Sequence, residues 1–187
     1  MWILEGTLRE IHTPLDSDTV ESLAAGDRVL LTGVVYTARD SAHARLVKIL
    51  DAGGKMPVDL NGQVIYYVGP TPAPPGRIIG SAGPTTAGRM DAFTSRLLSA
   101  GLKGMIGKGL RSPEVVDAIR DHKAVYFGAT GGAAALLAQC VVSCEVVAYA
   151  DLGCEAIHKL EVVRLPLVVI NDSLGRDFYR QNQGKFA

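Results

Sequence analysis

The residues best suited to chemistry lie in Ser81-Ala82-Gly83-Pro84-Thr85-Thr86-Ala87-Gly88-Arg89. Two hydroxyls and a guanidinium follow a Gly-Pro pair where a helix is expected to start. Free N–H groups at a helix start carry partial positive charge, and Thr and Arg add directed donors. That is the chemistry of an anion site. The plainer reading has Thr85 or Thr86 capping the helix and Arg89 reaching into solvent. The wider stretch, residues 69–91, concentrates Gly and Pro between apolar segments, with Arg77 in its middle. A loop this long inside a compact chain reads as functional rather than disordered when apolar segments bound it. The Gly-to-Gly-Lys-Ser/Thr spacing of a Walker loop is absent.

Two further segments offer cations. Tyr36-Thr37-Ala38-Arg39-Asp40-Ser41-Ala42-His43 falls where a strand gives way to a helix, a common ligand position in α/β proteins. Arg39 could clamp a carboxylate with Asp40 and His43 orienting it, or Asp40 could simply cap the helix. Gly107-Lys108-Gly109 holds a lysine in a tight turn just after a strand. His12, His122 and His158 are scattered, without metal-ligand spacing. No Ser/His/Asp set, catalytic glutamate pair or dinucleotide fingerprint stands out, and residues 128–132, GATGG, read as close packing of small residues.

The elements that must position these groups alternate. Strands are expected over residues 2–11, 28–36, 64–68, 104–106, 124–127, 141–149, 160–163 and 167–170. Helices are expected after Asp16, after Thr37 or Asp40, after Thr85 or Thr86, from Ser112-Pro113, over 133–139 and over 152–158. Alternation through the middle favours an α/β arrangement with parallel strand pairs. The early strands need a barrel-like or second-sheet partner, so a layered β/β/α domain fits better than a doubly wound sheet.

The chain has 187 residues, most simply one domain spanning 1–187, with enough apolar content, 48%, to bury a core. A formal net charge of zero and dispersed basic residues argue against nucleic acid or an anionic membrane as partner. Apolar runs fall short of the roughly 20 residues that span a bilayer, and no secretory signal is expected at the start. Cys140, Cys144 and Cys154 form no even framework. They read as reduced core thiols in a cytoplasmic protein rather than as metal ligands.

Five runs carry a family resemblance: LTGVVYTARDSAH, VDLNGQVIYYVGPTPAPPGRIIGSAGPTTAGRMD, GLKGMIGKG, AVYFGATGGAAALLA and VAYADLGCEAIHKLEV. Together they resemble the beta subunit of class I iron–sulfur fumarate hydratase, the matching C-terminal domain of single-chain class I fumarases, and the beta subunit of L-tartrate dehydratase. The resemblance covers nearly the whole chain. It implies a swivelling β/β/α domain and a partner alpha subunit, in an α2β2 heteromer, that carries a [4Fe-4S] cluster; this chain would bind no cofactor or metal itself. It also implies a dicarboxylate substrate held by Arg39, Thr85, Arg89 and Lys108, with Thr85 as the residue for proton transfer at carbon. The implied reaction is reversible hydration of fumarate to L-malate, with tartrate dehydration or a non-catalytic dicarboxylate-binding module as alternatives. Alone, the chain would be inactive and prone to self-association through an apolar, loop-rich face.

Overall fold

Strands such as residues 28–36 and 64–68 are apolar almost throughout, so both of their faces need cover. The computed structural model describes residues 8–129 and 133–183. The first part of the strand expected over 2–11, and residues 130–132 of the GATGG run, lie outside the described residues. β1 (Leu8–His12) leads into α1 (Ser17–Ser22), whose N-cap Asp16 accepts from Thr19 N at 2.7 Å. β2 (Arg28–Thr37), α2 (Asp40–Asp51) and β3 (Val64–Tyr66) follow. The long loop then ends in a single 3-10 turn, Ala87–Met90, that runs straight into α3 (Asp91–Ser99). β4 (Gly104–Gly107), α4 (Pro113–Asp121), β5 (Val125–Gly128) and α5 (Ala134–Gln139) keep the alternation. β6 (Val141–Ala148), a 3-10 segment Ala150–Glu155, β7 (Ile157–Asn171) and α6 (Phe178–Gln181) complete the order.

The fold is mixed α/β. β1 to β5 are parallel neighbours in sequence order. β7 pairs antiparallel with β5 through Val168–Asn171 and with β2 through residues 159–168, so β2, β3, β4, β5 and β7 close into a five-stranded barrel. β1 extends the sheet beside β2, and β6 pairs with β7 as an outer strand. Alternation along each strand sorts side chains into two cores. Val64, Tyr66, Ile106, Val125, Phe127 and Val162 meet inside. Ile65, Met105 and Tyr126 point the other way, against Leu46 of α2, Leu97 of α3 and Ile119 of α4. Each such fully buried side chain contributes roughly 1.5–3 kcal/mol of burial. Among the described residues, no helix is long and apolar enough to cross a membrane.

Three expectations need correction. The two strands expected at 160–163 and 167–170 are one strand, β7. Arg164 adopts a left-handed conformation (φ 53°) and its N–H donates to Thr32 Oγ1 at 3.0 Å, which absorbs extra residues as a bulge instead of a turn. The helix expected over 152–158 is the 3-10 segment Ala150–Glu155, broken by Gly153 at φ 58°, and Ile157 and His158 already belong to β7. The N-cap of α2 is Arg39, not Thr37 or Asp40, with no side-chain cap bond. Thr37 is instead spent on the start of β7: its Oγ1 donates to Ala156 O at 3.1 Å and accepts from His158 N at 2.9 Å.

Gly33 sits opposite the β7 bulge at φ 121°, where a Cβ would strike the Thr13 side chain and approach Thr13 O at 3.1 Å. Gly33→Ala should therefore lower stability by about 1–3 kcal/mol, read as a lower urea midpoint. An unchanged midpoint would show that the bulge tolerates a side chain.

Candidate active site

β2, β3 and β4 are adjacent and parallel, so their carboxyl ends open on one side, the side where ligands bind in open and closed parallel α/β folds alike. The structure brings the four expected residues to those ends. Arg39 lies just past β2 and Lys108 just past β4. Thr85 is fastened between them: its N–H donates to Tyr67 O at 2.6 Å, and its carbonyl accepts from Lys108 N at 3.2 Å. Ala87 N returns a bond to Lys108 O at 2.8 Å, so the Thr85–Ala87 backbone runs as a short parallel bridge beside the Lys108 turn. Gly107 permits this approach, because a Cβ there would meet the Tyr67 ring at 2.9 Å. Neither Thr85 nor Thr86 caps the following turn with its side chain; Thr86 is the N-cap residue but makes no cap bond.

Both arginines meet carboxylates of the chain itself. Arg89 Nε donates to Asp40 Oδ1 at 2.9 Å, with Nη2 2.9 Å from Oδ2. Arg39 Nη2 lies 3.3 Å from Glu155 Oε1, both side chains being 22% exposed. Its Nε is buried without an acceptor, so one arm of the Arg39 fork is unused. Gly69, at the start of the long loop, lets that guanidinium lie flat, since a Cβ would come within 3.0 Å of Nη1. Asp40 thus orients Arg89 rather than Arg39. Glu155 has no counterpart in the expected set. It lies far from Arg39 in sequence, and the β2–β7 pairing, the Thr37 bonds to Ala156 and His158 and the Arg45–Asp151 ion pair bring their segments together.

The rest of the long loop does something else. Residues 71–81 form an excursion pinched at its base by Thr71 N to Ser81 O (3.2 Å) and Gly80 N to Thr71 O (3.1 Å). Arg77 is exposed on it, lining a cleft of about 490 Å³ with Ile78, Ser81 and Gln139. A second cleft, about 310 Å³, lies between Pro70, Ile78, Cys144, Cys154 and His158. The four expected site residues line neither cleft. Of the cysteines expected in the core, Cys140 and Cys144 are half-buried and pack against the inner core, whereas Cys154 is exposed. Partial burial raises the pKa of the Cys140 and Cys144 thiols, which keeps them protonated. Among the described residues, no three of His, Cys, Asp and Glu are grouped to hold a metal ion.

A profile of the family described as Fumarase C-terminus matches residues 7–182. The chain belongs to the fumarase C-terminus family. It is 46% identical over 156 residues to the anaerobic class I fumarate hydratase of Escherichia coli K12, covering 82% of this chain and 28% of that one. Against fumarate hydratase 1, mitochondrial, of Leishmania major it is 42% identical over 156 residues, again 82% and 28% of the two chains. Against the putative L(+)-tartrate dehydratase subunit beta of Methanocaldococcus jannaschii it is 37% identical over 173 residues, covering 89% of each chain. The chain therefore spans under a third of the fumarate hydratases it matches and nearly all of the tartrate dehydratase subunit.

Within this fumarase C-terminus domain, His43 locks the entry to α2. Its Nδ1 lies 2.9 Å from Arg39 O, which also accepts from His43 N at 2.9 Å, and its ring packs edge-on against Tyr67 at 5.3 Å. Burial pushes the imidazole down to about 4, with the nearby Arg111 charge acting in the same direction. Nε2 has no partner, as suits a neutral ring. The unfolded chain takes up this proton near the ordinary value of 6.5, whereas the folded chain resists until about 4. The stability contributed by a neutral His43 is thus complete above pH 6.5 and lost as pH falls toward 4, by about 3 kcal/mol at most. His43→Gln should flatten that part of the pH–stability curve in urea titrations. A wild-type slope retained by the variant would assign the effect to other groups.

Proposed function

We propose that this chain is the beta subunit of an iron–sulfur hydro-lyase, supplying the carboxylate-binding half of a site completed by an alpha subunit. The single observation that carries the reading is the placing of Arg39 just past β2, Thr85 on Tyr67 just past β3 and Lys108 just past β4, with Arg89 tied to Asp40 beside Arg39. Fumarate, hydrated reversibly to L-malate, is the leading substrate, in keeping with the names of the relatives. The swivelling β/β/α description, the α2β2 assembly and a cytoplasmic setting belong to the same reading. So do the inactivity and self-association of the isolated chain.

A dicarboxylate presents two anionic ends, and two guanidiniums plus an ammonium can hold both and fix the carbon skeleton between them. Adding water across the double bond places hydroxyl on one carbon and a proton on the other. In the dehydration direction, loss of that carbon-bound proton sends its electron pair into the adjacent carboxylate, building enediolate charge. Fixed cations stabilise this charge more than they stabilise the ground state. In this reading Arg39 and Lys108 supply those cations. Thr85 Oγ1, on a backbone held from both sides, is the proton carrier at carbon in this reading, taking that proton as it passes its own to a carboxylate of the alpha subunit. The three cysteines do not gather as ligands for the [4Fe-4S] cluster, which this reading assigns to the alpha subunit, and no step runs through them.

Assembling the chain anaerobically with its alpha partner and following malate formed from fumarate tests the proposal. Turnover is expected. Absence of hydro-lyase activity on both fumarate and tartrate would sink it. In the assembled enzyme, Arg89→Ala should lower kcat/KM by about a hundredfold or more with an unchanged circular dichroism spectrum, and normal activity would remove Arg89 from the site. A tartrate dehydratase reading has one observation in its favour, the near full-length match to a tartrate dehydratase beta subunit. The ratio of kcat/KM for the two substrates decides between them.

A further inference from the structure

Arg111 was not among the expected site residues, yet its side chain is wholly buried directly beneath them. Nε lies 2.8 Å from Asp91 Oδ1. Nη1 donates to Tyr67 Oη at 3.1 Å and Nη2 to Thr94 Oγ1 at 2.6 Å. The guanidinium carbon also stands 5.4 Å from the Tyr67 ring centre and 5.0 Å from that of Tyr126. Burial opposes the charge, but Tyr67 and Asp91 outweigh it, and the guanidinium stays protonated.

Three of these partners, Tyr67, Asp91 and Tyr126, lead to different site residues. Tyr67 is the residue whose carbonyl holds Thr85 N. Asp91 follows Met90, the buried residue next to Arg89, and its Oδ2 accepts from Ser112 N at 2.8 Å. Tyr126 donates to Gly109 O at 3.0 Å, from below the Lys108 turn. Lys108 itself is separated from Arg111 by only Gly109 and Leu110, both exposed and free of core packing. The Thr85–Arg89 and Lys108–Arg111 segments are therefore fastened twice, by backbone bonds at one end and by the Asp91–Arg111 pair at the other. Tyr67 also packs on His43, which holds the Arg39 carbonyl.

We propose that Arg111, paired with Asp91, is the positioning residue that sets the spacing of Thr85, Arg89 and Lys108 for the dicarboxylate, acting without touching it. The catalytic half of this statement rests on the proposed function; the positional half does not. Replacing a buried charge can unfold a chain by leaving its partner unpaired, so the test uses two variants. Asp91→Asn keeps side-chain volume and an acceptor for Ser112 N, and Arg111→Lys keeps the charge but loses the fork.

In the full chain alone, amide hydrogen exchange is followed at Ala87 and Lys108, the donors of the cross-segment bonds. Both variants should exchange there at least tenfold faster, while amides of α4 and β7 stay protected. In the enzyme assembled with its alpha partner, both should lose at least tenfold in kcat/KM, carried mainly by KM for fumarate. Unchanged exchange at Ala87 and Lys108 overturns the proposal, even if thermal stability falls. So does faster exchange with undiminished kcat/KM. Wild-type inactivity on every dicarboxylate would defeat the functional reading, and the exchange measurement would still decide whether Arg111 sets the geometry.

Discussion

β7 pairs with β2 along one stretch and with β5 along another, and this double antiparallel contact turns a row of parallel strands into a closed wall. Without it, β2 to β5 would form an open, twisting sheet whose carboxyl ends fan apart. With it, the ends of β2, β3 and β4 are held at fixed spacing by hydrogen bonds on both sides of the group. The same strand begins at Ile157, and its anchoring to Thr37 delivers Glu155 to Arg39. Closure of the barrel and the Arg39–Glu155 contact thus depend on the same strand. The bulge at Arg164 and the glycine at position 33 are the local geometry that lets a 15-residue strand bend around the ring.

The site is built on backbone as much as on side chains. Thr85 is fixed by its own N–H and carbonyl, and Lys108 by the same bridge. This suits groups whose task is to present charge at set positions, because main-chain bonds cost no side-chain entropy. The exposed side chains of Arg89 and Lys108 rest on two fully buried layers, first Met90 and Tyr67, then Arg111.

Much of this was legible in the sequence. The apolar runs at 28–36 and 64–68 announced strands buried on both faces, and the Gly-Pro-Thr-Thr and Gly-Lys-Gly turns marked where backbone geometry mattered more than packing. Arg39 at a strand-to-helix step, Thr85 and Arg89 after Gly-Pro, and Lys108 between glycines stood out as anion donors, and the family resemblance supplied their proposed common role. What escaped was whatever depended on distant pairing. Arg164 and Pro166 look like a break between two strands until Thr32 and Leu30 are found opposite them. Glu155 carries no local mark of its role. Arg111 is hidden for a different reason: an arginine before a helix cap reads as a surface residue, and only Asp91, Tyr67, Thr94 and Tyr126 together make its burial affordable. Cys154 misled in the opposite sense, since thiols tend inward and this one is exposed.

The pairs Arg39–Glu155 and Arg89–Asp40 have a consequence for how any carboxylate would enter. Neither guanidinium waits bare in solvent, so an arriving anion meets an ion exchanger rather than an empty trap. Its affinity is the difference between two similar carboxylate contacts, and much of the Coulomb attraction cancels. What would survive the cancellation is shape: the distance between the two ends of the ligand, compared with the distance between the two arginines. If the proposed function holds, such a site would discriminate by ligand length more than by charge.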